Sequence, residues 1–125
     1  MIVRITINVL RIAAIIALIL GIIFWTGSAQ SLIPIHMLLG ILVTLSLWIL
    51  GVVILTVSGG RILGISALIL GLLVVGIGLT QAQMLVGSLH WIIQVLHLLL
   101  GLAAIGMGEM IAGRYKRSKA VAKAA

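Results

Sequence analysis

Four long apolar runs, separated by short polar breaks, dominate the chain. They fall at about 5–26, 32–56, 62–80 and 86–112, each near the roughly 20 residues that cross a hydrocarbon core as a helix. In lipid, only helices and closed barrels satisfy every backbone amide and carbonyl. The runs are continuously apolar and lack period-two alternation, which predicts helices and not barrel strands. Thr26-Gly27-Ser28-Ala29-Gln30-Ser31, Ser58-Gly59-Gly60 and Thr80 to Gln83 form the breaks. Pro34 falls in the first turn of the second run, where an amide has no intrahelical acceptor to lose. The pattern predicts an all-α, four-helix transmembrane bundle of up-down-up-down order over residues 1–113, followed by a basic tail at 114–125.

Composition narrows this further. With 64% hydrophobic and 7% charged residues, the chain has too little polar surface for a soluble domain. The formal charge of +7 is unevenly spread: Arg4 and Arg11 near the start, Arg61 alone in the middle, and Arg114, Lys116, Arg117, Lys119 and Lys123 in the tail. Basic residues flanking apolar spans set membrane orientation, so no nucleic-acid partner is needed to explain them. The first and third connections carry no Lys or Arg. The positive-inside rule therefore places both termini and the Ser58–Arg61 connection in the cytoplasm, in a multi-pass protein of the cell's inner (plasma) membrane. Trp25 and Trp91 fall at the opposite interface, where aromatic belts sit. The chain has no cysteine, no Asp and one Glu. Thiolate metal sites, disulfides, a Ser-His-Asp set and carboxylate-pair catalysis are thereby excluded.

Arg4, Arg11, an apolar stretch and Gly27-Ser28-Ala29 have the outline of a secretory signal with a cleavage site. A partner for the first helix later in the chain argues for a retained span. Arg11-Ile12 with Ala17-Leu18-Ile19-Leu20-Gly21 recurs, offset by 50 residues, as Arg61-Ile62 with Ala67-Leu68-Ile69-Leu70-Gly71. His36-Met37-Leu38-Leu39-Gly40 recurs, offset by 61, as His97-Leu98-Leu99-Leu100-Gly101. The bundle thus reads as two repeated helical hairpins, related by an axis along the membrane normal. Sharing the extra residues of the second half between both sides of its outer turn sets Gly21, His36, Gly71 and His97 at one level. That level lies in the outer half of the bilayer.

Ionisable side chains inside a membrane are costly and mark function by default. His36 and His97 lie on diagonal helices at matched depth, and two facing imidazoles are what bis-histidine haem ligation requires. Gly21 and Gly71 on the other two helices allow close approach of a flat ring, and Gly40 and Gly101 lie one turn below each histidine. The alternative for these residues is helix packing, in which membrane histidines hydrogen-bond across helices and small residues such as Ala13, Ala17 and Gly21 let helices close up. Gly60-x-x-x-Gly64 matches the helix-dimerisation pattern.

Gly on helices 1 and 3 with His on helices 2 and 4 resembles the four-helix membrane b-type cytochromes. The resemblance implies a haem b cofactor with His36 and His97 as axial iron ligands and Gly21, Gly71, Gly40 and Gly101 around the porphyrin. Members of that family often carry a second histidine pair about four turns away; the matching positions here are Leu50 and Ile111, so the resemblance implies that the inner haem is missing. It further implies electron exchange with quinol or an outer-side redox protein, and, were the chain an enzyme, quinone or superoxide oxidoreduction. His90 lies seven residues outward of His97 with Gln94 between. It is a candidate to bond a haem propionate, line a quinol site or ligate a second haem with another chain, or else a simple interface residue. Glu109 reads as a proton-relay carboxylate or as the ion-pair partner of a membrane arginine. Two other functions stay open. The chain is similar in length to the small multidrug transporters, whose helix 1 carboxylate is lacking here, so that Glu109 would have to replace it. A cofactor-free assembly subunit in a homo-oligomer or larger membrane complex is the other.

Overall fold

The computed structural model describes residues 1–124, and among them there is no strand. Helix α1 spans Ile2–Trp25, α2 Ile33–Leu55, α3 Arg61–Thr80 and α4 His90–Ala124. All four are long and apolar enough to cross a membrane, making this a multi-pass membrane bundle. Single 3-10 turns at Gln30–Leu32 and Gln81–Gln83 complete the first and third connections. The termini and the α2–α3 turn share one end, called proximal here; the other two connections form the distal end.

The helix boundaries have local causes. Pro34 sits in the first turn of α2, where its fixed φ suits a helix start. Gly59 adopts φ +69° in the tight turn between α2 and α3, a conformation that glycine takes at no steric cost. In the distal connection, Leu85 (φ +48°) and Gly87 (φ +94°) are left-handed. They cannot continue a helix, so α4 starts at His90 and not near residue 86, where the apolar run begins. At its other end α4 passes through the basic segment without a break to Ala124.

Each helix packs against its neighbours in sequence, α4 closes the ring against α1, and α2 and α4 also touch across the diagonal. The proximal half is densely filled. Leu10, Leu47, Leu50, Ile54 and Ile111 are fully buried there. Leu50 and Ile111, the positions at which a second histidine pair would stand, are thus part of a close-packed apolar core.

Glycines set the closest helix approaches. A β-carbon at Gly64 would come within 2.7 Å of the Gly51 carbonyl and 2.6 Å of Leu55, and one at Gly51 within 3.2 Å of Ala67. The Gly60-x-x-x-Gly64 pattern is therefore used inside the chain, between α2 and α3. On the other side, Gly108 of α4 seats against Ile7 and Leu10 of α1 at 3.1 Å. Next to it, Arg11 forks onto Glu109, Nε to Oε1 at 2.5 Å and Nη2 to Oε2 at 2.7 Å. A third donation, from Nη1 to Asn8 Oδ1 at 3.1 Å, fixes the guanidinium. The sole acidic side chain of the sequence is thus neutralised by a bidentate pair, the strongest geometry available to it.

Two outcomes follow for thermal unfolding in detergent. Gly64→Val forces α3 off α2 and should lower stability by about 1–3 kcal/mol, the usual cost of overpacking. Arg11→Met and Glu109→Leu should each lower the midpoint, because each leaves one charge alone at membrane depth. The double variant should be more stable than either single one, and additive losses would show that the pair is not coupled.

Candidate functional site

The distal half is built differently. A cavity of about 470 Å³ lies among all four helices, within the size range of cofactor sites. His36, His90, His97, Gly21, Gly40 and Gly101 all line it. Six of the seven candidate residues are therefore brought to one place.

His36 enters from the first turn of α2 and His97 from the second turn of α4. Their ring centroids are 6.2 Å apart, with planes tilted by 59°. Phe24 of α1 stacks edge-on against His36 at 5.4 Å and limits its rotation. Nδ1 of His36 and Nδ1 of His97 are both buried and without a hydrogen-bond partner. The Ala17 carbonyl of α1 is the neighbouring backbone acceptor for His36, yet no bond of good geometry forms at Nδ1. Buried polar atoms are nearly always satisfied, so a matched pair of partnerless nitrogens on two histidines that line one cavity needs a physical account.

The glycines of the site do two jobs. At Gly21 an added β-carbon would stand 3.4 Å from His36 Cε1, and at Gly78 it would stand 3.1 Å from His97 Cε1. These positions let the rings lie against the backbones of α1 and α3. At Gly40 and Gly101 an added β-carbon meets nothing within 4 Å, so the lack of a side chain there holds cavity volume open.

Gly71 lies elsewhere. It is buried against the Trp48 indole, which a β-carbon would strike, and Trp48 Nε1 donates to the Leu68 carbonyl of α3 at 3.0 Å. Gly71 makes room for a tryptophan that ties α2 to α3, and Gly78 takes the place beside the histidine expected for Gly71. The reason is length. Helix α3 ends at Thr80, so Gly71 falls much deeper below the distal end than Gly21 does below Trp25. Gly78 stands seven residues further on, two turns along nearly the same face. The signal for it was the distance to the end of the third apolar run, which the repeat alignment overrode.

His90 opens α4 at the mouth of the cavity, beside Gln81 and Gln94. Its Nδ1 lies 3.0 Å from the Met84 carbonyl. A carbonyl only accepts, so Nδ1 carries the proton and donates it there. Among the described residues, no cluster of three or more His, Cys, Asp or Glu side chains is arranged to hold a metal ion. A zinc site takes three or four protein ligands, which this chain does not bring together. Two imidazoles suit an iron whose other ligands come from a macrocycle. Two imidazoles on one metal, at about 2 Å per bond, have ring centroids roughly 6 Å apart, close to the separation found.

In comparison with known proteins, the chain matches no family model, no curated protein and no solved structure.

Filling the cavity tests its geometry without any ligand. In protein purified without added haem, Gly40→Leu or Gly101→Leu should hold or raise the stability read from the thermal midpoint, by up to about 2 kcal/mol as for other cavity-filling changes. Gly78→Leu should lower it, because His97 must move. A loss of stability at Gly40 equal to that at Gly78 would show that the space beside Gly40 is closed.

Proposed function

We propose that the chain is a membrane haem b electron-transfer protein with one bis-histidine haem in its distal half. The paired, half-buried imidazoles of His36 and His97, each with a buried Nδ1 lacking a hydrogen-bond partner and with ring centroids at a separation suited to one bridging metal, carry this reading. His36 and His97 would be the axial ligands. Gly21 and Gly78 would seat the two rings, and Gly40 and Gly101 would leave space for the macrocycle. Gln81, Gln94 and His90 at the mouth would meet its carboxylates. Bound there, haem would supply a one-electron ferric–ferrous couple.

The chain's own residues set the conditions for that couple. His36 and His97 would hold the group from both sides, which suits electron transfer better than substrate binding at the metal. The apolar packing around Leu50 and Ile111 fills the proximal half, so electron exchange would take place on the distal side. Arg4, Arg61 and the basic stretch of α4 gather at the proximal end, which we assign to the cytoplasm of a plasma membrane. Trp25 and Trp91, about half exposed at the distal ends of α1 and α4, fit the opposite interface. The distal cavity mouth then faces quinol in the outer leaflet or a redox protein outside.

A reduced-minus-oxidised absorption spectrum of detergent-purified protein tests this. The expected result is a sharp low-spin b-type signal, abolished by His36→Ala or His97→Ala and retained in His90→Ala. A colourless protein, even with haem supplied during expression, would overturn the assignment.

A further inference from the structure

The proximal end holds a second concavity that the haem reading does not use. It measures about 370 Å³ and is lined by Val57 and Ser58 of the α2–α3 turn and by Arg114, Arg117, Ser118 and Val121 of α4. Arg114 is half-buried, and its Nη2 donates to the Ser58 carbonyl at 3.2 Å. The guanidinium lies directly over Gly59, where a β-carbon would come within 2.5 Å of Nη2. The turn glycine therefore does more than supply a left-handed φ: it lets the arginine fold down onto the turn.

The charges here have no counter-ion among the described residues. A guanidinium offers five N–H donors, and Arg114 spends one on Ser58. Arg117 and the Ser118 hydroxyl form no side-chain hydrogen bond or ion pair among the described residues. Glu109, the only acidic side chain, is engaged by Arg11. Two arginines with donors to spare thus line one small space beside a serine hydroxyl, a donor set that matches tetrahedral phosphate.

We infer that this concavity binds the phosphate of an anionic phospholipid. The lipid source follows from position. The concavity lies where the four spans end, at headgroup level, and Val57 and Val121 give it apolar walls. Toward the bilayer centre, α2 and α4 present exposed Leu55 and Met110, surfaces on which acyl chains lie. Basic pockets between helices at this level recognise anionic headgroups. Only the choice of leaflet rests on the orientation proposed above; the binding does not depend on orientation or on haem.

Native mass spectrometry of the detergent-purified full chain tests this, with phosphatidylglycerol, phosphatidylcholine or inorganic phosphate as probe. One phosphatidylglycerol should be retained in preference to phosphatidylcholine. Arg117→Gln, which breaks no bond within the chain, should weaken retention about fivefold, and Arg114→Gln/Arg117→Gln further. Lys119→Gln/Lys123→Gln removes charge outside the concavity and should change retention less than twofold. Equal loss in the lysine variant would replace the site by diffuse attraction and overturn the proposal. Equal retention of phosphatidylcholine would overturn it too, and displacement by equimolar inorganic phosphate would identify a free-anion site in place of a lipid site.

Discussion

Helices in a bilayer gain nothing by hiding apolar surface from one another, because lipid is as apolar as leucine. What holds this bundle is close approach of backbones, and the approach at Gly51 and Gly64 sets the rest. It brings α2 and α3 into van der Waals contact, places Trp48 where it reaches the Leu68 carbonyl, and fixes the turn on which Arg114 rests. Gly108 does the same for α1 and α4. With both seams closed in the proximal half, the large side chains Leu47, Leu50, Ile54 and Ile111 fill the centre. The distal half lacks such seams, and small residues at Gly40 and Gly101 leave it hollow.

Toward the proximal end Arg11 is engaged by Glu109 and Asn8, and Trp48 by a carbonyl, while Thr44 Oγ1, in the middle of α2, is buried without a partner. In the distal half, His36 and His97 each keep a buried nitrogen without a partner. Two buried imidazole nitrogens without partners on facing helices call for a physical reason. A bound metal cofactor is the reason we propose, since it would account together for the paired imidazoles and the cavity they line. Of the two roles considered for Glu109, the geometry supports the ion pair: both carboxylate oxygens accept from Arg11.

The α4 helix links the two ends. Its distal turns carry His90 and His97, its middle carries Gly108 and Glu109, and its last turns carry Arg114 and Arg117. One continuous helix therefore connects the cavity, the ion pair and the basic concavity. Any change that tilts α4 moves all three together.

The four helices, their order and the common end of the positive charges were legible in the sequence, because continuous apolar runs of span length have one solution in lipid. The histidine pair was legible as well, since an ionisable residue in such a run is rare enough to stand out. Two things were decided only in three dimensions. Gly78, not Gly71, lies beside His97, because the depth of a residue depends on where its helix ends and on which neighbour fills the space, here Trp48. The Arg11–Glu109 pair joins residues 98 apart in the chain, and only the closing of α1 against α4 chooses Arg11 over Arg61. Local pattern fixes what each segment can be; which side chains share a space is set by packing, which no single segment contains.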